Sequence, residues 1–237
     1  MEIRDASALV TGAGRGIGRS IAMALAREGA RLTVVSRTAH ELDTLVEEIE
    51  AVGGRGVAFA GDLRNPSACS GAVAAAVDCF GGLQILVNNA GLGVFANVAD
   101  TSDEDWDAVL GTNLSAAFRL TRAALPHLAH RGGHIVMVSS LAGKNPIAGL
   151  AAYCASKAAL DQFAACLMLE VRHQGVKVTT VAPGSVDTAF AGAPRSADTS
   201  WMLTAEDVAQ TVVDLLRMRD GAHSSRVEMR PARPQKR

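Results

Sequence analysis

Residues 8–27 read ALVTGAGRGIGRSIAMALAR, an apolar run followed by a glycine-rich turn and a second apolar stretch. The run Ala8 to Val10 has the uncharged character of a buried strand, whereas Ile21, Ala22 and Leu25 recur at the spacing of one helix face. Glycines in such a turn let the backbone approach a pyrophosphate, which then lies at the positive end of the helix. The stretch therefore predicts a strand, a nucleotide-binding turn and a helix, in that order.

The glycines of the turn fall at positions 12, 14, 16 and 18, so their spacing differs from the GxGxxG fingerprint of many dinucleotide-binding proteins. A turn with a purely structural role is the alternative interpretation. The position of the glycine-rich turn between a first strand and a first helix favours cofactor binding. The residues that we expect to contact the cofactor here are Thr11, Gly12, Gly14, Arg15, Gly16, Ile17 and Gly18.

Apolar runs of strand length recur along the rest of the chain, and helical patterns such as Leu42, Leu45 and Ile49 separate them. Such alternation, with right-handed crossovers, buries both faces of a sheet only as an open doubly wound arrangement. We therefore predict a Rossmann-type α/β fold with about seven parallel strands, helices on both faces and a single domain over residues 1–237, with a frayed basic tail at 231–237. The further runs are Arg31 to Val35, Gly56 to Ala60, Ile85 to Val87, His134 to Val138 and Val176 to Val181.

The composition argues against several classes of function. Of the 237 residues, 49% are hydrophobic, and 23 basic against 24 acidic side chains leave a net charge of −1, so no basic stripe is available for a nucleic acid. The four cysteines show neither a CxxC pair nor zinc spacing, and the histidines lack carboxylates at ligand spacing, so we expect no metal site. Polar residues and glycines interrupt every apolar run, so we expect no membrane span. A charged start and unpaired cysteines predict a reduced, cytoplasmic protein.

The second apolar run ends at Ser36-Arg37, where the usual dinucleotide fingerprint places an acidic residue for the ribose 2′-hydroxyl. A cation at this point suits a 2′-phosphate instead, and Arg15 in the first turn can reach the same group from the other side. We therefore predict NADPH or NADP as the cofactor, in preference to NADH, with Ser36 and Arg37 among its contacts. Two solvated arginines are the alternative interpretation.

Short polar turns follow the third and fourth predicted strands. We expect Asp62-Leu63 to hold an adenine edge. The next turn, Asn88-Asn89-Ala90-Gly91, carries amides able to bridge neighbouring loops and the cofactor ribose, although an ordinary Asx-rich turn explains it nearly as well. The residues assigned to cofactor binding in these turns are Asp62, Leu63, Asn89, Ala90 and Gly91.

Tyr153 is the only tyrosine, and Lys157 stands four residues later in a helical stretch, so the two side chains share a helix face. An ammonium beside a phenol stabilises the phenolate and lowers its pKa, so the pair predicts a proton donor and acceptor. Ser139-Ser140 ends the fifth strand at the same sheet edge, where one hydroxyl can bond the oxygen of a carbonyl substrate. Asn113, a poor helix former in a helical stretch, is expected to hold a backbone group or a water, with a solvent-facing amide as the alternative.

These residues together resemble the short-chain dehydrogenase/reductase family over roughly residues 5–230. The matching motifs are the TGxxxGxG turn at 11–18, Asn88-Asn89-Ala90-Gly91, Asn113, Ser140, the YxxxK pair, and Pro183-Gly184 with Thr188 beyond.

The resemblance implies a role for each matching side chain. Tyr153 would be the proton donor in carbonyl reduction, and Lys157 would lower its pKa and bind the nicotinamide ribose. Ser140 would position the substrate oxygen, and Asn113 would support a water relay to Lys157. The cofactor contacts implied near the nicotinamide are Tyr153, Lys157, Pro183, Gly184, the Val186 backbone and the Thr188 hydroxyl.

The segment from Ser185 to Leu203 is expected to cover the substrate. Its bulky members, with apolar residues of neighbouring loops, suggest an apolar pocket for ketones or β-keto esters and thioesters. Ordinary packing explains the same residues equally well. The residues assigned to this pocket are Phe95, Leu141, Ile147, Phe190, Trp201 and Met202.

Two further observations bear on substrate and assembly. Reductases of 3-oxoacyl thioesters are the best-populated comparison, but the end of this chain, Ser225 to Pro231, departs from their usual Gly-Gly turn and looks more like the hydroxy-acid and general carbonyl reductase branches. Ala155 to Val171 is apolar nearly all round, which predicts a helix covered on more than one face and hence a homo-oligomer, dimer or tetramer.

The sequence therefore predicts an NADPH-dependent oxidoreductase that reduces a ketone or 3-oxoacyl-type carbonyl to the alcohol, reversibly. Two alternatives come from other classes. One is a protein that binds NADP without turnover, as a regulator. The other is a serine hydrolase with Ser140 as nucleophile and Lys157 as base, which leaves the glycine-rich turn unexplained and has no GxSxG elbow.

Overall fold

The computed structural model describes residues 1–129, 132–188, 190 and 198–233. Within these ranges, seven strands form one sheet in the order β3-β2-β1-β4-β5-β6-β7, and every neighbouring pair is parallel. The predicted parallel sheet is therefore confirmed. The strands are β1 (Ser7–Thr11), β2 (Arg31–Ser36), β3 (Arg55–Ala60), β4 (Ile85–Asn88), β5 (His134–Val138), β6 (Lys177–Pro183) and β7 (Arg226–Met229).

Helices cover both faces of the sheet. On one face α1, α2 and α7 pack on side chains such as Val10 and Leu32, and on the other face α3, α5 and α6 pack on alternate residues such as Leu9 and Ile135. Burial on both faces is the reason that the central strands are uncharged throughout. The helices are α1 (Gly16–Arg27), α2 (Ala39–Ala51), α3 (Pro66–Phe80), α4 (Asp103–Leu110), α5 (Ala116–Ala129), α6 (Ala151–Val171) and α7 (Ala205–Arg217).

The seventh strand is the element that apolar patterning does not locate. Three of its four residues are half-buried and Glu228 is exposed, because β7 lies at the edge of the sheet beside β6. An edge strand tolerates charge where a central strand does not. The segment Ser225 to Pro231, in which the sequence analysis places no apolar run, therefore contains a strand, Arg226–Met229. Of the expected tail at 231–237, residues 234–237 lie outside the described part of the chain.

The strand order creates the crevice in which the candidate residues meet. β1 has β2 on one side and β4 on the other, so successive crossovers leave β1 in opposite directions. Loops at the carboxyl ends of β1 and β4 therefore diverge and leave room for a ligand. The turns after β5 and β6 follow along the same edge, which brings these four loops to one side of the sheet. No helix in the described part of the chain is long and apolar enough to cross a membrane.

Candidate active site

The glycine-rich turn is shaped by lack of space. Gly12 has φ +63°, and a Cβ added to it would lie 2.9 Å from Ala90 Cα. A Cβ on Gly18 would collide with the carbonyl oxygen of Gly12 and the amide of Asn89. Among the described residues no side chain caps the start of α1 at Arg15, so the first N–H groups of the helix stay open to an anion. This cradle of close backbone and free donors fits a pyrophosphate.

The turns after β1 and β4 are joined by two side chains. Thr11 Oγ1 donates to the Val87 carbonyl at 3.1 Å and accepts from the N–H groups of Asn89 at 2.9 Å and Ala90 at 3.0 Å. Asn89 Nδ2 returns a hydrogen bond to the Thr11 carbonyl at 2.9 Å. The cradle is thereby fixed from both sides before any ligand binds.

Two arginines border the crevice at the carboxyl ends of β1 and β2. Arg15 and Arg37 are both exposed, and neither guanidinium has a hydrogen-bond or ion-pair partner among the described residues. Asp62 lies on the same side, where hydrogen bonds from Arg64 lower the pKa of its carboxyl and the charge of Arg37 contributes a smaller part. The predicted contact Leu63 is 5% exposed and packs in the core beneath α3, so it offers its backbone only.

Glu41, in the first turn of α2, is a residue that the sequence did not single out. A Cβ on Gly14 would collide with the Glu41 carboxylate and would lie 3.1 Å from Ser36 Oγ. Gly14 does not have a positive φ, so glycine is needed there for space and not for backbone conformation. Periodicity assigns Glu41 only to the exposed face of a helix, and its approach to the turn depends on the tertiary fold.

Tyr153 and Ser140 meet at the mouth of the crevice. Burial raises the pKa of the Tyr153 phenol, and a hydrogen bond with Ser140 opposes that shift. Ser140 Oγ also accepts a hydrogen bond from the Ala142 N–H at 3.1 Å, which fixes the hydroxyl at the end of β5. The phenol is therefore in its protonated form at neutral pH.

Lys157 lies one helical turn beyond the tyrosine and is 4% exposed. Its Nζ donates to the Val138 carbonyl at 2.9 Å and lies 5.7 Å from the centre of the Tyr153 ring. Burial lowers the pKa of Lys157 to about 8, and the charge of Asp161 acts in the opposite direction. Burial is the largest cause acting on the Tyr153 pKa, so the net shift is upward, and the lowering expected from Lys157 stays a prediction.

Asn113 is inside the protein, where it holds a neighbouring loop. The helical stretch is broken by a π-helical segment, Gly111–Ser115, which carries Asn113 between α4 and α5. Its amide accepts from the Leu92 N–H at 2.8 Å and donates to the Leu92 carbonyl and to Ser156 Oγ, both at 2.9 Å. At 1% exposure the solvent-facing alternative is wrong.

The segment after β6 is held against the glycine-rich turn. Leu203 accepts from the Asp187 N–H at 2.9 Å and donates to the Ser185 carbonyl at 3.0 Å, so Val186 lies in a short two-stranded bridge. Thr188 directs its methyl group at Gly16. Gly184 donates its N–H to the Met229 carbonyl at 2.9 Å, directly after Pro183, which ties this segment to β7.

The residues predicted to line the substrate pocket do not form one cluster: some lie beside the catalytic residues and others are exposed. Phe190 packs on Tyr153 with ring centres 5.0 Å apart, and a Cβ added to Gly184 would lie 3.1 Å from Leu141 Cδ1. Phe95 and Ile147 are 54% and 47% exposed. Residues 189 and 191–197 of the covering segment lie outside the described ranges. The remaining two predicted pocket residues bond within the segment itself, Trp201 Nε1 to the Asp198 carbonyl and Met202 N–H to the Thr199 carbonyl.

Comparison with known proteins agrees with this geometry. The family model described as short chain dehydrogenase matches residues 6–199. Ketoacyl reductase HetN of a Nostoc species is 38% identical over 88% of this chain and 74% of its own length. Bovine dehydrogenase/reductase SDR family member 7B is 36% identical over 78% of this chain, which spans only 59% of that protein. A metagenomic short-chain oxidoreductase, solved in complex with NADP, superposes with a TM-score of 0.87 at 34% identity and covers 99% of this chain and 100% of its own.

Proposed function

This chain belongs to the short-chain dehydrogenase family, and we propose that it is an NADPH-dependent reductase that converts a ketone or 3-oxoacyl-type carbonyl to the alcohol, reversibly. One observation carries the proposal. A half-buried phenol, hydrogen-bonded with Ser140 and one helical turn from a buried lysine, lies at the same sheet edge as a backbone cradle that admits no side chain. Proton donation beside a dinucleotide site is the chemistry that this combination supplies.

The fit of the crevice to a dinucleotide supports the cofactor part of the proposal. The open N–H groups at the start of α1 would bind the pyrophosphate, and the Thr188 segment would border the nicotinamide end. A bound nicotinamide cofactor supplies the hydride. NADP is favoured over NAD because Arg15 and Arg37 are two exposed cations without anionic partners in the described part of the chain.

Tyr153 donates its proton to the substrate oxygen as negative charge develops on it. The raised pKa keeps the phenol protonated over the neutral range, so the acid form is ready at every turnover in the reducing direction. Ser140 holds the substrate oxygen within reach by a hydrogen bond. Lys157 contributes positive charge 5.7 Å from the centre of the ring, which stabilises the phenolate once the proton has left.

Asn113 acts on this chemistry through the backbone. By bonding both the N–H and the carbonyl of Leu92, its amide fixes the loop after β4, and a Cβ on Gly91 in that loop would lie 3.5 Å from Lys157 Nζ. We propose that Asn113 keeps this loop open beside the lysine, where the family resemblance implies a water relay.

The serine hydrolase alternative loses support from the same contacts. Lys157 Nζ donates to the Val138 carbonyl, whereas Ser140 Oγ accepts from the Ala142 N–H. A lysine base would have to accept the proton of the serine hydroxyl directly. A protein that binds the cofactor without turnover has no need of a phenol held between Ser140 and Lys157.

Two further expectations stay proposals: a homo-oligomer and a cytoplasmic location. The outer face of α6 presents Ala158, Ala165 and Leu169, the last at 56% exposure, and Phe163 beside them meets Phe118 of α5 with ring centres 6.1 Å apart. An exposed apolar helix face of this kind favours association with a second copy. Light scattering at micromolar concentration tests it, and a monomer would contradict it.

The function is tested by following NADPH absorbance with a panel of β-keto thioesters, β-keto esters, cyclic ketones, diketones and aldehydes. We expect oxidation of NADPH with at least one ketone class and slower turnover with NADH. Ser140→Ala is the matched variant, which removes one hydroxyl and is expected to lower kcat by about 10²-fold. Cofactor binding without consumption across the panel would favour the regulator, and ester hydrolysis without nicotinamide would favour the hydrolase.

A further inference from the structure

Asp161 is a buried carboxylate that the proposed mechanism does not use. It lies on α6 one turn beyond Lys157, as Lys157 lies one turn beyond Tyr153, so the three side chains follow one face of the helix. The Asp161 side chain is 13% exposed. A Cβ on Gly143 would lie 2.8 Å from Asp161 Oδ2, so the loop that begins at Ser140 rests on this carboxylate.

The ionic partner of Asp161 comes from the last strand. Arg226 Nη1 lies 2.7 Å from Asp161 Oδ2, and Arg226 Nε is 3.3 Å from Glu228 Oε1. Glu228 in turn bonds Lys144, which belongs to the loop after Ser140, at 2.7 Å. The pair joins three elements: the helix of Tyr153 and Lys157, the loop of Ser140, and β7.

The ion pair between Asp161 and Arg226 uses only one oxygen of the carboxylate and leaves one guanidinium nitrogen without a hydrogen bond among the described residues. Asp161 Oδ1 and Arg226 Nη2 are both buried, and neither has a hydrogen-bond partner among the described residues. A fork-to-fork arrangement would have used both oxygens. Part of the carboxylate charge is therefore left to act on its surroundings in a medium that screens it weakly.

Lys157 needs such a charge. Its ammonium is buried against a neutral carbonyl, and a buried cation without a counter-charge loses its proton easily. The titratable groups near Lys157 are Tyr153 and Asp161, both on α6. Asp161 in turn faces Arg226 of β7, which pairs with Glu228, and Glu228 pairs with Lys144 in the loop between β5 and α6. Of these, Asp161 is the group whose charge raises the pKa of Lys157.

We propose that Asp161 is a positioning residue for the reaction proposed above: its carboxylate keeps the Lys157 side chain in the ammonium form, and Arg226 sets how much of that negative charge the lysine feels. The inference rests on the proposed function for its meaning in catalysis. In this arrangement, the charge state of Lys157 depends on Arg226, a cation on the edge strand β7.

Two variants with opposite expected signs test this. Asp161→Asn keeps the shape and removes the negative charge, so the pKa of Lys157 falls by about one unit from its value near 8. Arg226→Gln breaks the same ion pair but keeps the carboxylate, so the pKa of Lys157 rises. The readout is a titration of the lysine Cε resonances by NMR, which is simple to assign because the chain has only Lys144, Lys157, Lys177 and Lys236, and Lys157→Arg identifies the signal.

The second readout is the pH dependence of kcat. The alkaline limb is expected to move to lower pH in Asp161→Asn and to higher pH in Arg226→Gln. Shifts of one sign in both variants, or a Lys157 midpoint that neither variant moves, would overturn the proposal in favour of an ion pair that only stabilises the fold. Should Asp161→Asn not fold, the direction of the shift in Arg226→Gln decides alone. The NMR titration needs no turnover, so failure of the proposed reductase activity is distinguished from failure of this inference.

Discussion

The cofactor side and the catalytic side of the crevice are built on different physical grounds. At the turns after β1 and β4 the geometry follows from space, since side chains on Gly12 and Gly18 would strike backbone or a neighbouring amide. At the catalytic side it follows from burial and hydrogen bonding of Tyr153, Lys157 and Asn113. The first region binds with the backbone, and the second reacts with side chains. Substitutions on the two sides are therefore expected to change different quantities.

The largest effect on cofactor binding is expected at the glycine-rich turn. In Gly18→Ala the new methyl group meets the Gly12 carbonyl, which the backbone cannot move without opening the turn. We expect the Kd for NADPH to rise by at least about 10²-fold, because the pyrophosphate loses its cradle. Titration of cofactor fluorescence measures it. Gly221→Ala, at a surface turn where the nearest atom to a new Cβ is a flexible arginine tip at 3.3 Å, is the control and should bind normally; unchanged binding in Gly18→Ala would mean that the turn does not hold the cofactor.

The next effect belongs to the catalytic side. Asn113→Ala removes three hydrogen bonds that fix Leu92 and Ser156. We expect kcat to fall by about 10 to 10²-fold and the free energy of unfolding to fall by about 2 kcal/mol, while the Kd for NADPH changes little. Steady-state kinetics and chemical denaturation separate these quantities. In the control Asn97→Ala, at an exposed position, kcat and the free energy of unfolding are expected to stay at parental values. If Asn113→Ala weakened only the binding of NADPH, the proposed distinction between the cofactor side and the catalytic side would be contradicted.

The preference between NADPH and NADH should respond to Arg37, the exposed cation that follows β2. Arg37→Asp replaces an exposed guanidinium by a carboxylate, so a 2′-phosphate is repelled and a ribose hydroxyl gains an acceptor. We expect the NADPH-to-NADH ratio of kcat/KM to fall by about 10 to 10²-fold. A ratio that stays at the parental value would mean that Arg37 is a solvated residue only.

The smallest effect is expected at Glu41. Its carboxylate lies against Gly14 and close to Ser36, near the expected 2′-phosphate, so Glu41→Gln removes a repulsion without changing the shape. The NADPH-to-NADH ratio should rise by about two- to fivefold. The matched control is Glu48→Gln, whose carboxylate pairs with Arg19 at 2.7 Å. An equal rise in both variants would point to a general loss of negative charge.

The contrast between the regions also explains what the sequence can predict. The turn at 11–18 can be identified from local residues because glycine occurs where a Cβ would collide with neighbouring atoms. Tyr153 and Lys157 can be identified because residues four positions apart lie on the same face of an α-helix. The parallel sheet followed from uncharged strands, which only burial on both faces requires.

The rest depends on contacts between residues far apart in the chain. Ser156 bonds Asn113 across 43 positions, and Asp161 meets Arg226 across 65, so no local pattern reports either pair. β7 was not located because an edge strand carries charge. The net direction of the Tyr153 pKa also depends on the fold, because its largest cause is burial of the phenol, which no local pattern reports.

The most direct test of the account is Tyr153→Phe, which keeps the ring beside Phe190 and removes the one transferable proton. Single-turnover oxidation of NADPH, followed with the best ketone of the panel, is expected to slow by about 10² to 10⁴-fold, while the Kd for NADPH stays within about threefold of the parent. A rate within about tenfold of the parent would contradict the claim that this phenol supplies the proton.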